Sequence, residues 1–235
     1  LRAVDYHKKF KVTPHIWCTF YDAGHILGSA TLLLEIAACA NTTKVAYAVD
    51  LGRQGIPLLR DPDILNDVDY LIIESTYGGR THEPISEAEE ELAKAINRTI
   101  ARGGKVIIPA FALERTQEVV YYLSRLIKER KIKRIPIYVD SPLACDITEV
   151  FLKNTDSFDL KAKKMLKDEA DILGINSIHY IRTTEESKKL NFDKRPMIII
   201  STSGMCEAGR ILHHLRNTIE DARNTIIVVG YMAKN

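Results

Sequence analysis

Apolar and polar positions follow two regimes along the chain. Up to about residue 79, runs rich in Val, Ile, Leu and aromatic residues are separated by Gly, Asn, Asp and Pro. Ile16 to Tyr21, Ala30 to Ile36, Val45 to Val49 and Tyr70 to Glu74 therefore read as successive strands. Beyond Gly78-Gly79, helical stripes alternate with apolar strand-like runs. Leu92, Ile96 and Ile100 share one helical face, preceded by Ser86 and Glu89 at capping-box spacing and closed by Gly103-Gly104. Lys105 to Phe111 follows as a strand, with Pro109 expected near its C-terminal end, where a missing N–H costs no ladder bond. Val119, Val120, Leu123, Leu126 and Ile127 form the next buried stripe. After a strand at Ile135 to Val139, Ser141 is placed to cap a helix whose first position is Pro142. Residues 154 to 195 are weakly periodic, apart from a helical patch around Met165 and a short strand at Ile178 to Ile181. Pro196 to Ile200 reads as a strand, Ser201 to Gly209 as a small-residue loop, Arg210 to Arg216 as a helix and Thr225 to Val229 as a last strand. This alternation predicts an α/β fold with a mainly parallel sheet flanked by helices.

Composition narrows the class. The chain has 235 residues, 46% hydrophobic and 27% charged, enough for one large or two small domains with a real core. A net charge of +2 leaves no overall electrostatic footprint for nucleic acid. Two local basic runs, Lys128 to Arg134 and Lys161 to Lys164, are either binding faces or solvated surface. The four cysteines form no CxxC pair, which excludes a zinc ribbon and argues against a disulfide framework, so a reducing cytoplasm is expected. No run approaches the roughly 20 apolar residues of a membrane helix, and the first residues lack signal-peptide features, so no membrane association is expected. Leu1 stands in what reads as the middle of a domain, the pattern of a piece of a longer protein.

Chemistry concentrates at the ends of the apolar runs. His25 sits between Gly24 and Gly28-Ser29-Ala30, in a loop of residues too small to be there for packing. Asp50 and Glu74 end two further runs. Imidazole and carboxylate are both good zinc or manganese ligands, so His25 and Asp50 are candidates for one ion. The alternative is a hydrogen-bonded loop histidine and a turn-forming aspartate. Glu74 is suited either to orienting a metal-bound histidine or to capping its turn. Ser201-Thr202-Ser203-Gly204 joins a strand to a helix and offers hydroxyls and N–H groups to a phosphate, although it is not a P-loop. Ser141 and Arg115 occupy equivalent places after two other strands, so the three ends would form one groove on the rim of a parallel sheet. Arg53, Arg80 and Arg210 also follow strand ends, where a guanidinium can hold a phosphodiester or join a surface ion pair. His213 and His214 point about 100° apart on a helix and cannot serve one site as a pair.

In chain order, DAGHILGSA, Asp50-Leu51-Gly52-Arg53, ESTYGGRTHE, GGKVIIPAFALERTQE, IYVDSPLA and ISTSGMCEAGRILHHL resemble the metallo-β-lactamase/β-CASP nucleases. This is the RNA-processing group that includes cleavage-and-polyadenylation endonucleases. The resemblance runs from Tyr6 to Tyr231. It implies part of a metallo-β-lactamase αββα sandwich over residues 1–79 and a β-CASP domain over residues 80–235. It implies that His25 is a metal ligand, that Asp50 bridges two zinc ions and that Glu74 supports the catalytic centre. Ser201, Thr202, Ser203 and Gly204 would contact RNA phosphates. The implied activity is zinc-dependent hydrolysis of RNA, endonucleolytic or 5′-to-3′ exonucleolytic, in which two metal ions activate a water and stabilise charge developing on oxygen. RNA is the implied partner, and a homodimer is left open. The family's H-x-H-x-D-H loop would lie before residue 1 and its late histidine motifs after residue 235, so these residues alone are expected to bind zinc poorly and to be inactive. Val49 stands where the family usually has glycine before the bridging aspartate, which favours the main rival, a catalytically inactive RNA-binding scaffold. A metallo-hydrolase of a small molecule is a third reading, which the β-CASP-like half disfavours.

Overall fold

The computed structural model describes residues 2–38, 41–81, 84–168, 171–174, 177–230 and 232. The chain divides into two compact units, Leu1–His82 with Asp156–Ala162, and Glu83–Thr155 with Lys163–Asn235.

The first unit is a sheet of β1 (Phe10–Thr13), β2 (Ile16–Asp22), β3 (Ala30–Ala38), β4 (Asn41–Ala48) and β5 (Tyr70–Ile73), in that spatial order. β1 to β4 run antiparallel to their neighbours, and β5 pairs parallel with β4. Its buried side chains are small: Cys18, Ala46 and Ala48 lie along the strands. Leu58 and Phe158 are enclosed, and a bridge joins Leu59 to Phe158, so the 156–162 segment returns to this unit although sequence placed it in the second half. Register explains where the loops go. Asp22 pairs with Ala30, while Ala48 pairs with Ile73, so the β2–β3 loop and the ends of β4 and β5 leave from the same end of the sheet.

The second unit is a fully parallel sheet ordered β10-β6-β9-β7-β8, built from β6 (Val106–Pro109), β7 (Ile137–Asp140), β8 (His179–Ile181), β9 (Ile198–Ser201) and β10 (Thr225–Ile226). Its helices are α1 (Ile85–Ala101), α2 (Arg115–Lys128), α3 (Pro142–Lys153), α4 (Leu160–Asp168, begun within the 156–162 segment), α5 (Thr184–Phe192) and α6 (Ile211–Thr218). Val106 to Ile108 and Ile198 to Ile200 are wholly buried, the signature of strands covered on both faces. Pro109 pairs with Ser201, Ser201 with Asp140 and Asp140 with Ile181, so four strand ends stand in one row. Pro109 closes its strand, as its missing N–H requires.

Two local expectations are corrected. Ser86 and Glu89 do not cap α1: Pro84 occupies the N-cap, and Glu89 is buried against Arg125 of α2. The capping box that does form is Thr183 with Glu186 at the start of α5, within the stretch that read as weakly periodic. Ser141 caps α3 as expected, its hydroxyl accepting from Ala144 N at 3.2 Å with Pro142 in the first turn.

Candidate functional site

The His25 loop is built by its own short side chains. Asp22 Oδ1 accepts from Gly24 N at 3.0 Å, and Ser29 Oγ accepts from His25 N and Ile26 N, each at 3.2 Å. Gly24 takes φ +60°, which a glycine adopts without cost. The loop thus presents His25 exposed at its tip. Burial pushes the Asp22 carboxyl up, opposed by its bond from Gly24 N and by Arg60, whose guanidinium lies 3.4 Å away. Asp22 was not singled out in the sequence, although the D-x-G spacing at a strand end is a turn signal.

Asp50 follows β4 with φ +50°, in the left-handed region that aspartate tolerates better than most residues, and it is exposed. Two residues later, Gly52 N donates to Ala23 O at 2.8 Å. A Cβ on Gly52 would stand 1.7 Å from Gly24 O and 2.8 Å from His25 N, so only glycine lets the two loops touch. Glu74 braces the same place: its Oε1 accepts from Leu51 N at 2.8 Å. A hydrogen bond from the Thr76 side chain, then that Leu51 N–H and the nearby His25, hold its carboxyl below the usual range against partial burial. His25, Asp50 and Glu74 therefore belong to one neighbourhood, with Glu74 engaged in orienting the Asp50 segment. The donor chemistry of His25 and Asp50 suits zinc, but no group of three metal-type side chains occurs among the described residues. Two donors are one short of the three protein ligands that usually hold a catalytic zinc.

In the second unit, Ser201, Thr202, Ser203, Gly204, Ser141 and Arg115 lie at or just beyond the strand ends, and their side chains have different tasks. Ser201 is buried, and its hydroxyl donates to Asp140 O at 2.9 Å. Thr202 Oγ1 and Ser141 Oγ are 3.2 Å apart, which ties the turn to the α3 cap. The turn closes on itself through Ser203 N to Ala208 O at 3.1 Å and Ile211 N to Thr202 O at 3.0 Å, across a cis Thr202–Ser203 peptide. Gly204 packs on Phe111, whose ring a Cβ would approach to 2.8 Å. Among the described residues the half-buried Ser203 hydroxyl has no protein hydrogen bond, while the Ser203, Cys206 and Ile211 N–H groups are spent within the turn. Arg115 is paired with Glu118 at 2.5 Å and remains partly exposed.

Arg210 is committed to internal partners. Its Nη1 donates to Asp140 Oδ1 at 2.7 Å and Ile181 O at 3.4 Å, and its Nη2 to Arg182 O at 2.9 Å, which makes it an internal brace. Asp140 is fully buried and also meets His214 Nε2 and Ser187 Oγ, both at 2.6 Å. Burial alone would push its carboxyl up; the His214, Ser187 and Arg210 hydrogen bonds outweigh that and hold it below the ordinary value. Of the adjacent histidines, His214 is packed inside and His213 is exposed.

No helix among the described residues is long and apolar enough to cross a membrane. Cys18, Cys145 and Cys206 are free thiols; Cys39 lies outside the described residues.

The Beta-Casp domain family profile matches residues 116–235. An RNase J-like protein of Methanocaldococcus jannaschii is 36% identical over 239 residues, covering 100% of this chain and 53% of that protein. A ribonuclease of Thermus thermophilus is 34% identical over 212 residues, covering 90% and 48%. An endoribonuclease of Eremothecium gossypii is 30% identical over 236 residues, covering 98% and 30%. The chain spans about half the length of the first two relatives and less of the third. With the parallel sheet, the strand-end turn and a family match over half its length, the chain belongs to the β-CASP family of the metallo-β-lactamase fold.

Proposed function

We propose that the chain is the central part of a zinc-dependent ribonuclease that hydrolyses RNA phosphodiester bonds in the cytoplasm. In this reading residues 1–79 belong to the metallo-β-lactamase-type domain and residues 80–235 to the β-CASP domain. The observation that supports it is the contact of the Gly24 and Gly52 backbones, which sets His25 beside the Asp50 segment at one end of the first sheet. His25 and Asp50 supply two donors toward the metal. Glu74 keeps the Asp50 segment in place through Leu51 N. Ser203 receives an RNA phosphate at the strand-end turn, while Ser201, Thr202 and Ser141 hold that turn's shape. A bound zinc ion supplies a Lewis acid and lowers the pKa of the attacking water.

Zinc content by elemental analysis and cleavage of end-labelled RNA, measured on the whole protein, test this. His25→Ala and Asp50→Ala should each lower zinc content and abolish turnover while the protein stays folded by circular dichroism. Cleavage at the parent rate by either variant overturns the assignment. RNA binding without cleavage by the zinc-loaded parent identifies the inactive scaffold instead. Residues 1–235 alone should bind zinc weakly and cleave nothing, because no three metal-type side chains gather among the described residues.

A further inference from the structure

The basic run Lys128 to Arg134, which read as either a binding face or solvated surface, forms one side of a groove in the second unit. α1 leads into β6 and α2 into β7, so the groove lies where the parallel strands begin, at the end of the sheet opposite the Ser201–Gly204 turn. It is open and measures about 800 Å³; Ile100, Ile127 and Ile132 contribute its apolar lining, and Arg130, Lys131, Lys133 and Arg134 its charged lining. No acidic residue lines it among the described residues. The loop that carries these cations is pinned. Arg130 takes φ +57° and its N–H donates to Ile127 O at 3.0 Å, while Lys131 N and Ile132 N both donate to Leu126 O, at 2.9 and 3.3 Å. Asn97 of α1 reaches across with Nδ2 to Lys131 O at 2.7 Å, and the Ile132 side chain is buried.

The neighbouring acids do not cancel the charge. Glu129 lies 2.7 Å from Lys131 Nζ and 3.7 Å from Arg125 Nε, which sets it against Lys131. Glu90 of α1 is paired with Lys94 at 3.5 Å. Asp193 and Asp221, in the connections that lead into β9 and β10, are bound to Arg195 and Arg223. Arg130, Lys133 and Arg134 are exposed and have no acidic partner among the described residues.

We propose that this groove is a second RNA-binding surface, separate from the strand-end turn, which holds single-stranded RNA by its phosphates without reading its sequence. The proposal rests on the ribonuclease reading, which makes RNA the polyanion this chain meets. Exposed lysine and arginine gain affinity for phosphate by releasing counterions, and a guanidinium takes a phosphate bidentately. No aromatic ring lines the groove to stack a base, so the contact is with the backbone alone. α2 runs from the strand-end rim to the groove, about 21 Å for its 14 residues, so a trinucleotide at the turn does not reach the groove and a longer RNA does.

Fluorescence anisotropy on the whole protein, with labelled oligouridine and oligoadenine of about 30 nucleotides, beyond the span of one small binding fold, reads affinity and its salt dependence. Three phosphate contacts at about 0.7 each predict that the combined variant Arg130→Gln, Lys133→Gln and Arg134→Gln flattens the slope of log K against log salt by about 2, equally for both sequences. Its melting temperature and its kcat/KM for a trinucleotide should match the parent, since the three side chains are exposed and far from the turn. A control that loses the same charge at exposed positions elsewhere, Lys153→Gln, Lys188→Gln and Arg216→Gln, should keep the parent slope. An unchanged slope in the groove variant, or an equal loss in the control, overturns the proposal. So does a loss confined to one of the two sequences. If the parent binds polyglutamate and the groove variant does not, with RNA binding unaltered in both, the groove belongs to an acidic protein and the proposal falls. The two readings fail separately. A parent that cleaves RNA while its groove variant keeps the full slope defeats the groove alone, whereas a parent that cleaves nothing but loses slope on substitution defeats the ribonuclease reading alone.

Discussion

Gly52→Ala is the sharpest perturbation of the first unit. A methyl there would lie 1.7 Å from Gly24 O, 2.1 Å from Gly24 C and 2.8 Å from His25 N. Real Cβ contacts essentially stop at 3.0 Å, so the two loops must separate by at least 1.3 Å, the difference between 3.0 and 1.7 Å. The obstacle is backbone, which has no rotamer to yield. Separation breaks the Gly52 N to Ala23 O bond of 2.8 Å, a loss of about 1 kcal/mol. Overpacking strain adds about 1–3 kcal/mol, for a total destabilisation of about 2–4 kcal/mol. Urea unfolding measures this directly, and zinc affinity of the whole protein should fall with it. Two controls separate causes. Gly104→Ala makes an equally severe clash, 1.9 Å from Arg223 O, in the second unit; it should destabilise the protein and leave zinc affinity unchanged. Gly55→Ala has open space but φ +76°, so it should cost only the left-handed penalty of about 1–2 kcal/mol. A Gly52→Ala protein within about 0.5 kcal/mol of the parent, with zinc affinity intact, would refute the claim that this contact builds the site.

Other consequences can be checked on the same protein. Asp140→Asn leaves Arg210 without its buried counter-charge and should cost about 3–5 kcal/mol in urea unfolding. Thr183→Ala removes the N-cap of α5 and should cost about 1 kcal/mol in urea unfolding. Stability should also fall in acid. Asp140, Asp193 and Asp221 are held below the ordinary carboxylate range, Asp193 and Asp221 at about 2 by Arg195 and Arg223. The unfolded chain protonates these groups first, near pH 4, so their stabilisation is complete above about pH 4 and drains as pH falls toward the folded values. Urea midpoints compared at pH 7 and pH 3 should show the loss, and Asp193→Asn with Asp221→Asn should narrow the difference.

Sequence legibility followed the distance over which each feature is determined. The β6 and β9 cores, Val106 to Ile108 and Ile198 to Ile200, were visible because strands buried on both faces read as unbroken apolar runs. The Ser141-Pro142 helix start was visible because cap and proline act within four residues. β1, Phe10–Thr13, was not, since three of its four residues are exposed and supply no apolar run. Ser86 and Glu89 had capping-box spacing, but Pro84 begins the helix earlier and burial commits Glu89 to Arg125. Gly52 takes no positive φ, so no local rule asks for glycine there. Its reason for being glycine is a backbone 28 positions earlier, at Gly24. The Asp140–His214 pair spans 74 positions, beyond the reach of any local pattern.

These long-range contacts divide the chemistry between exposed and buried groups. In the first unit His25 and Asp50 are exposed, and the groups that fix them, Asp22 and the Gly24–Gly52 contact, are buried or backbone. In the second, Asp140, His214 and Ser201 are buried, while the turn exposes Glu207 and leaves Ser203 half-buried. Arg210, which its sequence position left open to a phosphodiester or an ion pair, is bound to Asp140 and two backbone carbonyls. Arg210→Lys should lower the melting temperature by loosening this brace, and an unchanged melting temperature refutes the bracing role. The carbonyls of Ile181 and Arg182 that the guanidinium now bridges would lose a donor that a single ammonium cannot replace in the same fork geometry.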